Sequence, residues 1–359
     1  MYAGEKILIL DLLQILMKHT DENHRVTQHE IIEILNKEYD TFPKRKTVKN
    51  NMEKLLRYSE REDANEILYS TKIRSRNNMD SEKEEVSEVF SDFGFVHNFT
   101  HGELRLIIDS ILFSKQIPAA QREKLIEKLK SLTSKHFNSR MKHIRSLADH
   151  QPTTNNLFYT IEIIDEAISQ SMQISFTYNR YSVDKNSELL LSSQVNQDGT
   201  EREYIINPYQ MVAANGRYYL ICNNDKYDNV SHYRLDRITN IKMLTKKRKP
   251  TKEVKGLEYG LNLPKHMTEH IYMFTGQSTS VSLRFNKHFL NEFIDWFGTE
   301  NVRFSDQTED EVTARVTVNE IAMRKWALQY ALHVKVLSPE SLVDEIKNDI
   351  NQAWESYFK

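Results

Sequence analysis

Residues 203–222 read Glu203-Tyr204-Ile205-Ile206-Asn207-Pro208-Tyr209-Gln210-Met211-Val212-Ala213-Ala214-Asn215-Gly216-Arg217-Tyr218-Tyr219-Leu220-Ile221-Cys222. Apolar runs flank Asn215-Gly216, a pair that predicts a two-residue hairpin turn with positive φ at both positions. The expected strands are Ile174–Tyr178, Glu203–Asn207, Tyr209–Ala213, Arg217–Cys222, Ser231–Leu235 and Ile238–Leu244. Short strands that follow one another this closely predict a small β-barrel.

The same region carries three motifs in a fixed order. They are Asn207-Pro208-Tyr209, Tyr218-Tyr219-Leu220 and Tyr233-Arg234-Leu235-Asp236-Arg237-Ile238. In order and spacing this set resembles the WYL-domain transcriptional regulators. The family's Trp-Tyr-Leu signature falls on Tyr218-Tyr219-Leu220, where Tyr218 replaces the tryptophan and removes the indole.

The resemblance covers nearly the whole chain and implies both a fold and a function. It implies an N-terminal winged helix-turn-helix, a helical connector, a small Sm-like β-barrel (WYL) and a C-terminal extension (WCX) domain. Members of the family are typically bacterial regulators and are often homodimeric. Their barrel is thought to sense a ligand, for which nucleic acid or a nucleotide-like molecule has been proposed.

Five residues of the middle region are candidates for effector binding: Tyr178, Tyr219, His232, Arg234 and Arg237. The resemblance carries over all of them except Tyr219. Arginine suits a phosphate because its planar fork gives two parallel charge-assisted hydrogen bonds, and tyrosine offers a ring face on which a base stacks. Each residue also has a structural alternative, such as a core position for Tyr219 or an ion pair between Arg237 and Asp236.

The first 60 residues predict three helices, and the third of them is basic. From Lys44 to Arg57 there are six basic residues and one acidic residue, a local charge of +5. Residues at the start of such a helix read base edges and contact phosphates in helix-turn-helix proteins. The candidate DNA-binding residues are Lys44, Arg45, Lys46, Thr47, Lys49, Asn50 and Asn51. The alternative is a solvated basic face.

The remaining segments complete the predicted organisation. Ile67–Ile73 has the alternation of a hairpin strand, residues 75–100 are a polar, acidic connection, and helices are expected from His101 to about Leu147. After the basic linker at Lys246–Lys252, the order strand-helix-strand-strand-helix-strand predicts a ferredoxin-like α/β domain. The expected class is α+β, with a winged helix at 1–75, a connector at 76–156, the WYL domain at 157–249 and the C-terminal extension at 250–359.

Composition sets the outer limits of function. The formal net charge is −2, which excludes an evenly basic chain but leaves room for a local basic surface. A single cysteine, Cys222, excludes a disulfide framework and fits a reducing compartment. No apolar run approaches the roughly 20 residues that span a bilayer, so we expect a cytoplasmic protein with no membrane contact.

The leading interpretation is a DNA-binding transcriptional regulator. As a homodimer it binds double-stranded operator DNA, and a nucleic acid or nucleotide-like effector at the WYL domain controls that binding. No enzyme activity, cofactor or metal is expected, because the sequence has no phosphate-binding loop and no histidine or cysteine metal spacing. Two alternatives stay open: a metal-dependent nuclease, for which Asp225, Asp228 and Asp236 are the nearest carboxylates, and a nucleic-acid sensor in a defence or repair assembly.

Overall fold

The computed structural model describes residues 5–77, 84–137 and 156–358, and it has the expected α+β composition. The chain divides into two compact units, an N-terminal unit within residues 1–149 and a C-terminal unit within residues 150–359. Within the described residues, no helix combines the length and the apolar character that crossing a membrane requires.

Three helices and one hairpin form the first part of the N-terminal unit. They are α1 (Glu5–His19), α2 (Gln28–Glu38), α3 (Arg45–Ser59), β1 (Ile67–Asn77) and β2 (Glu84–Phe95). Leu12, Leu16, Ile31 and Val48 are fully buried in the core that joins the helices to the hairpin. This burial of apolar stripes is the main source of stability for helices of this length.

The start of α2 and the start of α3 follow local signals in the sequence. Thr27 and Glu30, three residues apart, form a reciprocal capping box at the start of α2. Phe42-Pro43 separates α2 from α3, since proline disfavours helix in the residue before it. The Gln28 Nε2 atom donates to the Arg45 carbonyl oxygen at 2.8 Å, so the first turns of the two helices lie side by side.

Strand β2 lies where the sequence suggested a polar connection, and that expectation was wrong for residues 84–95. β2 pairs antiparallel with β1 from Ile67 opposite Phe95 onward. Phe93 and Phe95 are buried against the three helices. The acidic residues of the strand concealed this alternating apolar pattern. A boundary at residue 75 would therefore separate two paired strands.

Two further helices, α4 (His101–Leu112) and α5 (Ala119–Lys130), complete the described part of this unit. A second capping box, from Thr100 to Glu103, begins α4. Leu104, Ile108, Ile126 and Phe137 form a small separate core between the two helices. The predicted continuation of helix to about Leu147 lies outside the described residues.

The C-terminal unit begins with a helix and six strands. They are α6 (Leu157–Gln170), β3 (Met172–Val183), β4 (Leu189–Ser193), β5 (Glu203–Ala214), β6 (Arg217–Asn223), β7 (Val230–Arg234) and β8 (Ile238–Lys247). Their antiparallel sheet runs in the order β4-β3-β5-β6-β7, and β8 pairs with the other edge of β3. The sheet therefore curls into a half-barrel.

Strand β5 is continuous where the sequence suggested two strands separated by Pro208. The register shifts between Pro208 and Gln210, so the proline sits at a β-bulge and the ladder to β6 resumes beyond it. The hairpin turn after β5 is the expected one. Asn215 and Gly216 both have positive φ, at 52° and 73°. Lys246 and Lys247 belong to β8 and not to a linker.

The last part of the chain forms a second sheet. Its elements are α7 (Leu263–Glu269), β9 (Ser278–Asn286), α8 (Leu290–Phe297), β10 (Val302–Ser305), β11 (Glu311–Asn319), α9 (Glu320–Gln329), β12 (Val334–Ser338) and α10 (Glu340–Phe358). The antiparallel order is β10-β11-β9-β12. Trp326 is fully buried in the core between this sheet and its helices.

Asp21 connects the two parts of the N-terminal unit. Its Oδ1 atom accepts hydrogen bonds from the backbone N–H groups of Asn23 and His24 at 2.9 and 2.8 Å. Its Oδ2 atom accepts one from Ser134 Oγ at 2.8 Å, from beyond α5. Burial alone would raise the pKa of Asp21, but the hydrogen bonds from Ser134, His24 and Asn23 outweigh it and lower the pKa to about 2.

We predict that Asp21→Asn destabilises the N-terminal unit. Loss of a buried charge-assisted acceptor costs roughly 1–3 kcal/mol. Because the folded pKa lies below the unfolded value near 3.8, the carboxylate stabilises the fold above that value, and the contribution is lost as pH falls from about 4 to 2. Hydrogen exchange of α1 and α4 amides at pH 7 measures the loss; equal protection in both proteins would contradict the assignment.

Candidate functional site

The turn between β7 and β8 is fixed to strand β3 at both of its ends. The Arg234 backbone N–H donates to the Tyr178 hydroxyl at 3.2 Å. The Asn179 Nδ2 atom donates to the Arg237 carbonyl oxygen at 2.9 Å and to Thr239 Oγ1 at 2.8 Å. Two adjacent residues of β3, Tyr178 and Asn179, therefore fix the backbone positions of Arg234 and Arg237.

Arg234 forms a buried ion pair with Asp236. Its Nε and Nη2 atoms donate to the two carboxylate oxygens at 3.1 and 2.6 Å. The side chains of Arg234 and Asp236 are 14% and 1% exposed. Burial would lower the pKa of Arg234, but the hydrogen bonds and charge of Asp236 outweigh it and raise the pKa. Both oxygens of the carboxylate already bind this guanidinium, so Arg234 acts mainly in the fold.

Arg237 is placed differently. Its guanidinium carbon lies 5.0 Å from the centre of the Tyr181 ring, which is a cation–π contact. Within the described residues Arg237 has no ion pair, and its buried Nε atom has no hydrogen-bond partner. A buried donor without a partner is costly, so this site favours an incoming acceptor such as a phosphate oxygen.

The Tyr178 ring belongs to an aromatic cluster and not to an open stacking surface. Its centre lies 4.9 Å from that of Tyr233 and 6.1 Å from that of Tyr204, both in edge-to-face geometry. Phe176 packs against the same rings. Burial raises the pKa of Tyr178 despite the nearby arginines. Tyr178 therefore holds the turn through its hydroxyl, and its ring is occupied by its neighbours.

Tyr219 lies on the other face of the sheet. It pairs with Arg234 across β6 and β7, and its neighbour Leu220 pairs with Tyr233. Because alternate residues of a strand point to opposite faces, Tyr219 shares a face with Arg234 and not with the aromatic cluster around Tyr178. The ring is half-buried and packs partly against a second apolar cluster that includes Ile221. Tyr219 is thus partly a core aromatic.

His232, which is half-buried, joins a cluster with the buried His266 and His270 and is not part of the arginine site. Its Nε2 atom lies 2.8 Å from the Nε2 atom of His266 on α7, and the His266 ring stacks on that of His270. Burial lowers the pKa of His232 to about 2 and that of His266 to about 3, so both rings are neutral near pH 7. Among the described residues, no group of three such side chains is placed to hold a metal ion.

The candidate effector site is therefore smaller than the sequence suggested. Tyr178, Arg234 and Arg237 come together at the β7–β8 turn, with Tyr219 beside Arg234. His232 is directed towards α7. Tyr181 is the residue that sequence reasoning missed, because the first strand was expected to end at Tyr178. The polar residues that follow Tyr178 obscured the fact that this strand, β3, continues to Val183.

The candidate DNA-binding residues differ in accessibility. Lys44, Arg45, Lys46 and Asn50 are exposed at the start of α3, whereas Thr47 and Lys49 are half-buried. Lys49 lies 3.6 Å from Glu53 in an ion pair along the helix.

Asn51 is a correction to the predicted set. Its side chain is buried, at 3% exposure, and its Nδ2 atom donates to the Thr47 carbonyl oxygen at 2.9 Å. This geometry keeps the amide away from any DNA. The seven predicted positions included Asn51 because consecutive polar residues hide which side of a helix each one occupies.

The three carboxylates considered for a nuclease are in three different settings. Asp225 accepts from Asn207 and Gln173 and pairs with Lys246 at 3.0 Å. Asp228 is exposed, and Asp236 is committed to Arg234. Metal-dependent cleavage needs carboxylates that converge on an ion, and these three are dispersed.

Comparisons with known proteins agree with this architecture. The family model of the WYL domain matches residues 159–243, which include most of α6 and nearly the whole half-barrel. The family model of the WCX domain matches residues 277–354, which include the second sheet and most of α10. No curated protein matches the chain.

Two solved structures resemble the chain at low identity. Proteasome accessory factor B/C (PafBC) of Arthrobacter aurescens is 14% identical, with a TM-score of 0.27 over 99% of this chain and 49% of that protein. The chain thus spans about half the length of PafBC. A CRISPR Cas-related protein is 13% identical, with a TM-score of 0.36 over 90% of this chain and 76% of that one.

The assignment of domains rests on the two family models and on the fold that they match. Residues 159–243 of this chain are a WYL domain, and residues 277–354 are a WCX domain.

Proposed function

We propose that this chain is a transcriptional regulator that binds operator DNA as a homodimer and responds to an effector at its WYL domain. In this proposal α1, α2, α3 and the β1–β2 hairpin form a winged helix-turn-helix over residues 5–95. The segment from α4 onward is the connector, and the second sheet is a ferredoxin-like domain. The effector is a nucleic acid or a nucleotide-like molecule.

The basic start of α3 is the observation that carries the proposal. Lys44, Arg45 and Lys46 are exposed, and none of them has an ion pair within the described part of the chain. The Gln28 contact holds this helix end beside the start of α2. In a helix-turn-helix formed by α2 and α3, α3 is the second helix. Cations at its beginning that have no ion pair suit contacts to phosphates and base edges in a major groove. The hairpin that follows α3 is in the position of a wing.

The effector part of the proposal rests on Arg237. Its guanidinium is stacked on Tyr181 and lacks a carboxylate partner among the described residues, unlike that of Arg234. A phosphate oxygen would satisfy the buried Nε atom, and an effector phosphate at this turn would act on a segment held by β3. Ligand binding then favours one arrangement of the DNA-binding helices over others, as a shift in populations.

We expect Lys46→Ala to weaken operator binding through the loss of one phosphate contact. The slope of log affinity against log salt should fall in magnitude by about one. Fluorescence anisotropy on a duplex located by footprinting upstream of the gene measures this slope. Lys124→Ala on α5, which removes an exposed charge from another helix of the same unit, is the control; equal slopes in the two variants would contradict the proposal.

Asn50 and Asn51 provide a matched pair on adjacent positions. Asn50→Ala should weaken operator binding by roughly 1–3 kcal/mol, and it should remove the preference for one base at a single operator position. It should leave the melting temperature unchanged, because the Asn50 side chain is exposed. Asn51→Ala should lower the melting temperature instead, because its buried amide loses the Thr47 contact. Calorimetry and binding to single-base operator variants separate the two effects; the reverse pattern would exclude this orientation of α3.

The two arginines of the turn should also behave differently. Arg234→Ala leaves the Asp236 carboxylate buried without its partner, so the free energy of unfolding should fall by about 3–5 kcal/mol. Arg237→Ala should change stability by less than about 1 kcal/mol and lose affinity for the effector. The probe is a labelled mixed-sequence single strand of about 12 nucleotides, and urea unfolding measures stability.

Arg180→Ala is the control for the effector measurement, because Arg180 is an exposed arginine of the same strand as Tyr181. If Arg237→Ala and Arg180→Ala bind the single strand equally well, the effector site does not lie at this turn.

A further inference from the structure

Helix α1 is apolar on more of its surface than its core requires. Nine of its 15 residues are Ile, Leu or Met. Leu12, Ile15 and Leu16 are fully buried, whereas Leu10 is 60% exposed and Ile7 is 41% exposed. The apolar residues of α1 thus extend beyond the face that the core buries, and this second, exposed face is suited to contact another molecule.

The exposed face of α1 forms one wall of a groove, and α3 forms the other. Ile9, Leu10 and Leu13 of α1 face Leu55 and Tyr58 of α3 across an open cavity of about 570 Å³. This volume lies within the range of clefts that bind ligands, roughly 300–1,000 Å³. The floor of the groove is apolar and is formed by side chains of both helices.

Three cations line the α3 side of the groove: Lys54, Arg57 and Arg61. All three side chains are exposed, and within the described residues none of them has an ion pair. The Arg61 guanidinium carbon lies 5.2 Å from the centre of the Tyr58 ring, which fixes that charge beside the apolar floor. The groove therefore combines apolar contact area with unpaired positive charge.

We propose that this groove binds an acidic amphipathic helix of a partner protein. A helix in a groove presents apolar side chains at i, i+3, i+4 and i+7, and acidic residues beside them would pair with Lys54, Arg57 and Arg61. This proposal rests on the N-terminal unit alone. It stands whether or not the effector site is at the β7–β8 turn.

Charge and polarity favour this occupant over two others. Contacts to a DNA backbone use cations and polar groups, and they leave an apolar floor with no partner. A second copy placed groove to groove would bring three cations from each chain into one interface, where like charges cost several kcal/mol. The apolar side chains of an acidic amphipathic helix would contact the floor of the groove, and its acidic side chains would pair with the three cations.

The probe is a labelled synthetic helix of about 18 residues with Leu at i, i+3, i+4 and i+7 and Glu on its flanks. The full chain should bind it, and the same peptide with Lys in place of Glu should bind at least about tenfold more weakly. Leu10→Ser and Arg57→Glu should each reduce the affinity for the acidic peptide about tenfold. Fluorescence anisotropy measures the four affinities: those of the unchanged chain for the two peptides and those of the two variants for the acidic peptide. Circular dichroism shows whether both variants fold.

Two matched controls lie on other helices of the same unit. Leu106→Ser on α4 removes a leucine that is 70% exposed, and Lys124→Glu on α5 reverses an exposed charge. Neither should change the affinity for the peptide. The proposal is overturned if these controls weaken binding as much as the groove variants, or if the acidic peptide does not bind.

Two further outcomes would assign the groove to another occupant. If Leu10→Ser reduces operator affinity about tenfold, the groove is part of the DNA interface. If it changes the sedimentation of the free protein from dimer to monomer, a second copy covers the groove. If the chain binds the peptide but binds no operator, the missing operator binding contradicts the proposed regulator, and the peptide binding still supports this inference.

Discussion

Strand β3 is the constraint on which the C-terminal unit depends, because it pairs along both edges. Residues 174–177 of β3 pair with β5 along one edge and with β8 along the other, residues 179–183 pair with β4, and the half-barrel curls around this strand. The same strand supplies Phe176 and Tyr178 to the aromatic cluster and Asn179 to the β7–β8 turn. A slip of one residue would turn each of these side chains to the wrong face, so pairing, packing and the position of the arginines are fixed together.

Local signals in the sequence were sufficient wherever one short segment determines the structure. Asn215-Gly216 specifies a turn, and Thr27 with Glu30 specifies a helix start, because both depend on residues a few positions apart. Strand β2 and the bulge at Pro208 were missed because pairing with a distant strand overrides the composition of the segment. The sequence could not show, for a related reason, which of the five effector candidates lie together. Which arginine meets Asp236, and whether His232 meets His266, depends on side chains that only the fold brings together.

Both candidate interfaces separate residues that support the fold from residues that are left free. Arg234 forms an ion pair with Asp236. Arg237 instead stacks on Tyr181, and its Nε–H group has no hydrogen-bond partner among the described residues. In α3, Asn51 is bonded inside the helix while Asn50 faces outward. In each case one residue holds the backbone in place and another, one to three positions away, presents chemistry to solvent. Reading such motifs by residue type alone merges the two roles.

The contact between His232 and His266 has a direction. Both rings are neutral near pH 7, so across the 2.8 Å between their Nε2 atoms one ring must donate and the other must accept. The buried Nδ1 atom of His232 has no partner among the described residues, and a bare lone pair there costs less than an orphaned N–H. His232 therefore carries its proton on Nε2 and donates, and His266 carries its proton on Nδ1. Strand β7 and helix α7 are joined by a polarised bond, which can reverse only if both rings exchange tautomers.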